Sequence, residues 1–311
     1  MGDLEQIALE RFKAASEMSL QYYGLPLVVA DSGGKDSSVC KELALRAGIP
    51  FEIMHNHTTA DAPETVRFIR SEAKRFEELG IKYTISMPMY KGKRTSMWGL
   101  IPQKLMPPTR LMRYCCSILK ETGGSGRFIT TGVRWDESTS RKKNRGIYER
   151  IGSSKANKII LNNDNDDKRM LFENCRLKAK RVVNPIIDWK DYDVWDFLGE
   201  GTQVLCGTHN VTCNGIHVNP LYDEGWCRVG CVGCPMASKA RVKEFIRWPK
   251  YKQLYINAFD RMLEERKRRG RTDGSWGSGF TGQDIFNWWM EYDILPGQID
   301  MFEFLEEDDE D

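Results

Sequence analysis

The sequence predicts an α/β fold, a mostly parallel sheet with helices on both faces, and three observations carry that prediction. An apolar run, Leu25-Pro26-Leu27-Val28-Val29-Ala30, leads into a glycine-rich turn and then into a helical stretch from Val39 to Leu45. Similar runs alternate with segments of helical periodicity as far as Thr131, the pattern of successive β-α-β units. With 311 residues and 41% hydrophobic side chains, the chain can bury one substantial core.

The elements follow in order. Residues 4–23 place Leu4, Ile7, Ala8, Phe12, Ala15 and Met18 at helical spacing, and Gly24 stands where a helix stops. Phe51 to His55 reads as a second strand, Ala62 to Leu79 as a helix starting near Pro63, Lys82 to Met87 as a third strand and Arg127 to Thr131 as a fourth. Asn162 to Asp167 is polar without an apolar period and reads as a loop or hairpin tip. Cysteines, glycines and turns dominate from about residue 200 to Pro235, and helical periodicity returns over 242–269. The expected divisions are an α/β domain at 1–200, a cysteine-rich segment at 201–240, a helical region at 241–305 and an acidic tail at 306–311.

Lys plus Arg number 46 against 44 for Asp plus Glu, so the net charge of +2 commits the chain to no polyanion, and any such site must be a local patch. Arg141-Lys142-Lys143-Asn144-Arg145 and Lys178-Ala179-Lys180-Arg181 are candidates for a nucleic-acid backbone, with solvated loops as the alternative. Arg266 to Arg269 precede Gly270 and suit a helix C-terminus, while Trp276, Trp288 and Trp289 suit packing. No apolar run approaches the ~20 residues of a membrane span, and the acidic start does not resemble a signal peptide, so the expected location is the cytoplasm, away from membranes. In a reducing compartment, nine cysteines point to metal or redox chemistry.

Ser32-Gly33-Gly34-Lys35-Asp36-Ser37-Ser38 lies between the first strand and its helix. There, consecutive backbone N–H groups can converge on phosphate; the glycines allow close approach, and Lys35, Ser37 and Ser38 can add side-chain donors. The Walker A spacing is absent. Cys227-x-x-x-Cys231-x-x-Cys234-Pro235, set among glycines, lets a turn direct several thiolates at one centre. A metal is the economical occupant, and four thiolates suit zinc as well as iron–sulfur. Cys40 reads as core, and Cys175, Cys206 and Cys213 show no ligand spacing.

The loop resembles the PP-loop of the adenine nucleotide α-hydrolase-like superfamily. Further segments resemble its PAPS reductase-like branch: Ala62 to Ile69, Arg113-Tyr114-Cys115-Cys116-Ser117-Ile118-Leu119-Lys120, Gly132-Val133-Arg134-Trp135-Asp136-Glu137-Ser138, Asn184 to Trp189 leading to Asp193-Val194-Trp195, and Asn219-Pro220-Leu221-Tyr222. The resemblance runs from about residue 25 to 236.

It implies a doubly wound, mostly parallel five-stranded sheet with an adenine nucleotide at the carboxyl ends of the strands. His55 and Asn56 would lie near the adenosine, and Gly132, Arg134 and Lys120 near the phosphates or sulfonucleotide. Asp36 would contact Mg²⁺ or brace the loop. The family tips the metal towards a [4Fe–4S] cluster, with zinc as the fallback, and points to Cys115 as the ligand completing Cys227, Cys231 and Cys234; Cys116 is the other candidate. The chain is similar to the C component of Dnd-type DNA phosphorothioation systems. That similarity implies ATP cleavage to pyrophosphate, with Lys35, Asp36, Arg134 and Lys120 in catalytic roles, a cysteine desulfurase as sulfur donor and a DNA or RNA acceptor. The alternatives are an APS or PAPS reductase served by thioredoxin, and a non-catalytic nucleotide-sensing subunit. Glu137 is expected to pair with Arg134 or Arg141. Oligomeric state is left open.

Overall fold

The computed structural model describes residues 2–121, 123–124, 126–151, 159–161, 180–199, 203–206, 209–211, 216–237, 240–271, 276 and 279–291. The chain forms two compact units, each built from separate stretches: 1–57, 63–86 and 122–230 in the first, and 58–62, 87–121 and 231–311 in the second. The polar run at 162–167, Cys175, Cys213 and the acidic tail lie outside the described residues, as do the side chain of Cys206 and most of the second basic run.

The first unit carries the sheet. Its strands are β1 (Leu27–Ala30), β2 (Phe51–Asn56), β3 (Tyr83–Ser86), β4 (Phe128–Thr130), β5 (Tyr148–Ile151), β6 (Ile159–Leu161) and β7 (Lys180–Val183). They lie in the order β3-β2-β1-β4-β7-β5-β6. From β3 to β7 every pairing is parallel, and β5 and β6 add an antiparallel edge. The five parallel strands match the sequence expectation; the antiparallel pair is an addition to it. Chain order runs outward from β1 through β2 to β3, then resumes on the other side with β4, so the topological switch point falls between β1 and β4. Open α/β sheets bind ligands in the crevice at that point.

Helices α1 (Gly2–Tyr23), α2 (Lys35–Arg46), α3 (Pro63–Glu78), α5 (Thr139–Asn144) and α6 (Asp191–Leu198) belong to this unit, and α4 (Met97–Lys104) to the other. The amphipathic spacing of α1 buries Ala8, Phe12, Ala15 and Met18, and Gly24 ends it at φ +61°. Its Arg11 reaches both carboxylate oxygens of Asp188 at 2.9 Å. Leu27, Val29, Leu43, Phe76, Phe128 and Trp189 are sealed in the core, each side chain contributing about 1.5–3 kcal/mol of burial.

The second unit packs α4 with α7 (Ala240–Arg247), α8 (Pro249–Arg268) and α9 (Gly282–Glu291). Within the stretch of helical periodicity over 242–269, Pro249 at the first position of α8 marks the boundary between two helices. Tyr255 is their centre: its ring lies 4.7 Å from those of Trp98 and Trp289, and Phe245 stands 5.8 Å away. Trp276, stacked edge-on with Trp288, and Trp289 pack as the sequence suggested. Arg268 and Arg269 pair with Glu265 ahead of Gly270, at φ +66°. No helix among the described residues is long and apolar enough to cross a membrane.

Candidate functional site

The loop after β1 is wired from below by Asp31, the last residue before the Ser-Gly-Gly sequence. Asp31 Oδ1 accepts the Gly33 amide at 2.8 Å and the Ser37 hydroxyl at 2.9 Å, while Oδ2 accepts Lys41 Nζ at 2.6 Å and the Tyr83 hydroxyl at 2.8 Å. Lys41 also donates to Glu72 Oε2 at 2.7 Å, and all three charged side chains are closed off from solvent. Burial works to raise the Asp31 pKa, but Lys41 and the Gly33 amide outweigh it and hold the carboxyl at about 2. Gly33 takes φ +75°, and a Cβ there would lie 2.8 Å from Thr65 Cγ2.

The loop offers fewer amides to an anion than its glycines suggest. The Gly33 amide is spent on Asp31, and the Lys35 amide donates to the Tyr222 hydroxyl at 3.0 Å. Gly34 has only a long bond of 3.4 Å to Ser32 Oγ. The helical ladder begins with Ser38 N to Gly34 O. The amides of Asp36 and Ser37, in the first turn of α2, therefore have no acceptor among the described residues. These donors and the helix dipole mark the place for a phosphate.

Around this turn stand two cations, each committed to carboxylates. Arg134, 2% exposed, places Nε 2.6 Å from Asp36 Oδ1 and Nη2 2.8 Å from Asp191 Oδ1, with Asp136 at 3.6 Å. Lys35 Nζ lies 3.0 Å from Asp191 Oδ1 and 3.7 Å from Asp36 Oδ2. Asp191 has its pKa lowered: its burial opposes this, but Lys35 and Arg134 prevail. Asp36 thus braces Arg134. Mg²⁺ needs oxygen ligands, and the two carboxylates here, Asp36 and Asp191, are each paired to a cation.

Other expected nucleotide contacts have local structural partners. His55 is buried with Nδ1 2.8 Å from Asp31 O. Asn56 packs against Gly123, where a Cβ would meet its Oδ1 at 2.6 Å. A Cβ on Gly132 would lie 2.9 Å from the Asp36 backbone, so this glycine lets β4's exit pass close to α2. Glu137 serves both its expected partners, accepting from the Arg134 amide at 3.1 Å and from the Arg141 guanidinium. Ser32 Oγ meets Ser37 Oγ at 3.3 Å, and the buried Ser38 hydroxyl has no hydrogen-bond partner among the described residues. Cys40 is core, as expected.

Lys120 belongs to the second unit, which also holds four free cysteines. Cys115, Cys116, Cys231 and Cys234 are all free thiols of this unit. The first two open a π-helical turn, Cys116–Lys120, a bulge common at functional sites. The other two sit on a tight turn, with Cys234 N donating to Cys231 O at 3.2 Å. Gly233, at φ +74°, lies flat on the aromatic cluster, where a Cβ would meet Phe245 at 2.6 Å and Tyr255 at 2.7 Å. The Cys116 pKa falls to about 5, helped first by the Cys115 thiol and then by Arg113, whose Nη2 lies 3.5 Å from its sulfur. Burial pushes Cys231 up to about 11, and Thr58 Oγ1 stands 3.3 Å from it. The Lys120 ammonium is held protonated, chiefly by Cys231.

Four soft donors with two cations to offset their charge fit a metal–thiolate centre. Such donors suit a tetrahedral zinc site and an iron–sulfur cluster alike. Cys227 is disulfide-bonded, whereas Cys116, the alternative ligand, is a free thiol.

A glycine loop at the switch point of a doubly wound sheet is a common place for a ligand in α/β proteins. Residues 26–237 match the phosphoadenosine phosphosulfate reductase domain, and the chain belongs to that family. It is 34% identical over 269 residues to an uncharacterised protein of Escherichia phage 186, covering 79% of this chain and 77% of the phage protein. It is 28% identical to an uncharacterised protein of Methanocaldococcus jannaschii over 88% of this chain, and spans about half (54%) of that relative's length. Among solved structures, a PAPS reductase from Candida auris in complex with phosphate aligns at 16% identity and TM-score 0.41, covering 70% of this chain and 87% of that one.

Proposed function

We propose that the chain is an adenine-nucleotide-dependent sulfurtransferase that releases pyrophosphate and carries an iron–sulfur cluster, close in kind to the C component of Dnd-type DNA phosphorothioation systems. The observation that supports this most is the full Ser32-to-Ser38 loop, built at a helix N-terminus with Lys35 and Arg134 beside it. An acceptor oxygen attacks the α-phosphorus of ATP and pyrophosphate leaves; Lys35, Arg134 and the amides of Asp36 and Ser37 stabilise the departing negative charge. Mg²⁺ enters with the nucleotide as part of the substrate. Cys115, Cys116, Cys231 and Cys234 would hold the [4Fe–4S] cluster, which supplies iron for sulfur binding or electron transfer. Lys120 would offset the thiolate charge there. The similarity to Dnd systems brings a cysteine desulfurase as donor and DNA or RNA as acceptor, in the cytoplasm.

Two observations favour other readings. The tandem Cys115-Cys116 with Cys231-x-x-Cys234 is also the cysteine pattern of cluster-containing sulfonucleotide reductases, which would release sulfite with thioredoxin as reductant. The full neutralisation of Lys35 and Arg134 by carboxylates suits a nucleotide sensor without turnover. Anaerobically purified protein incubated separately with ATP, APS and PAPS tests all three: pyrophosphate from ATP supports the sulfurtransferase, sulfite with thioredoxin the reductase, and ATP binding without product the sensor.

A further inference from the structure

Asp191 Oδ1 stands 3.0 Å from Lys35 Nζ and 2.8 Å from Arg134 Nη2. One carboxylate oxygen therefore bridges an ammonium and a guanidinium, the contact that a phosphate oxygen makes with the same pair. The two cations are nearly closed off, their side chains 10% and 2% exposed, whereas that of Asp191 is 46% exposed. We propose that Asp191 is a built-in competing anion: it occupies the position of a ligand phosphate oxygen, and a polyphosphate binds only by displacing it. The proposal rests on the loop being a phosphate site, as in the proposed function.

Of the two carboxylates flanking the cations, Asp191 is the one fitted to leave. Asp36 lies in the first turn of α2, 22% exposed, and is held at 2.6 Å by Arg134 Nε. Asp191 lies in the first turn of α6 with its backbone fixed separately, its amide donating to Asp136 Oδ2 at 3.0 Å. Its side chain can swing out without loss of that backbone bond. With Asp191 in place, Lys35 and Arg134 are balanced by Asp36 and Asp191, and Asp136 adds a more distant negative charge. An entering anion then meets no net attraction. Displacement returns one positive charge to the pair, which selects for ligands carrying several negative charges over singly charged ones.

The test is calorimetric titration of the full chain with inorganic pyrophosphate and with ATP. Asp191→Asn keeps the side-chain shape and removes the competing charge, and it should tighten pyrophosphate binding by about tenfold. Asp196→Asn, an exposed residue of the same helix, should leave affinity at the wild-type value. If Asp191→Asn fails to fold by circular dichroism, Asp191→Ser serves in its place. Unchanged or weaker pyrophosphate binding by the Asp191 variant, or equal tightening by Asp196→Asn, overturns the proposal while leaving the loop assignment intact. Absence of any pyrophosphate or ATP binding by wild type and variants overturns both.

Discussion

Lys41 Nζ donates to Asp31 Oδ2 at 2.6 Å, and neither side chain reaches solvent. An ion pair so buried is retained at a cost in desolvation, and here its partner Asp31 also holds the Gly33 amide and the Ser37 hydroxyl of the phosphate loop. Lys41→Met leaves Asp31 without its ion-pair partner in the core, while Glu72 keeps Arg75. Unfolding by urea should show a loss of about 3–5 kcal/mol; a loss under 1 kcal/mol would show the pair to be dispensable.

The same carboxylate sets an acid limit. The native Asp31 pKa is about 2 against an ordinary 3.8, so its contribution is fully present above the ordinary value and lost as pH falls through about 4 to 2. The shift corresponds to about 2 kcal/mol. The stability gap between wild type and Asp31→Asn should therefore narrow as pH falls from 5 to 2, followed by denaturant midpoints at each pH.

Gly33→Ala forces a Cβ into a positive-φ position 2.8 Å from Thr65 Cγ2. The strain is about 1–2 kcal/mol, small beside global stability but concentrated in the loop. Titration should show at least a tenfold loss of ATP affinity at an almost unchanged thermal midpoint.

Metal content discriminates among the cysteines. Cys116→Ser and Cys231→Ser, purified anaerobically, should lose iron and sulfide together, whereas Cys227→Ser should retain both. A colourless, zinc-loaded wild type would remove the iron assignment, and iron loss from Cys227→Ser would restore that residue as a ligand.

Gly233→Ala drives a methyl into Phe245 and Tyr255 at 2.6 and 2.7 Å. Overpacking of this kind costs about 1–3 kcal/mol, and because Gly233 lies between Cys231 and Cys234, iron occupancy should fall along with the unfolding midpoint.

Much of this was legible in the chain because it is written locally. The strands declare themselves by β-branched runs such as Val28-Val29, and the loop by Gly33, whose positive φ favours glycine. What was illegible depends on partners far apart in sequence. Lys41 looks like a helix-surface lysine until α2 packs with α3 and brings Glu72 to it, 31 residues on. Asp191 and Tyr222 give no hint that one neutralises Lys35 and the other takes its amide, 187 residues later. Lys120 sits in a segment whose π-helical form, with Cys116 at its start, has no signature in the residues themselves. The ligand spacing of Cys227 was real in sequence, but its oxidation state is not encoded there.

The hydroxyl of Tyr222 on the Lys35 amide also dictates an order of events at the ribosome. Residues 32–38 emerge early, yet the group that finishes their hydrogen bonding is among the last of its unit to be made. A nascent chain arrested before residue 222 thus leaves the Lys35 amide without this acceptor even with β1 and α2 formed, and the loop's own hydrogen bonding is completed only once Tyr222 has cleared the exit tunnel.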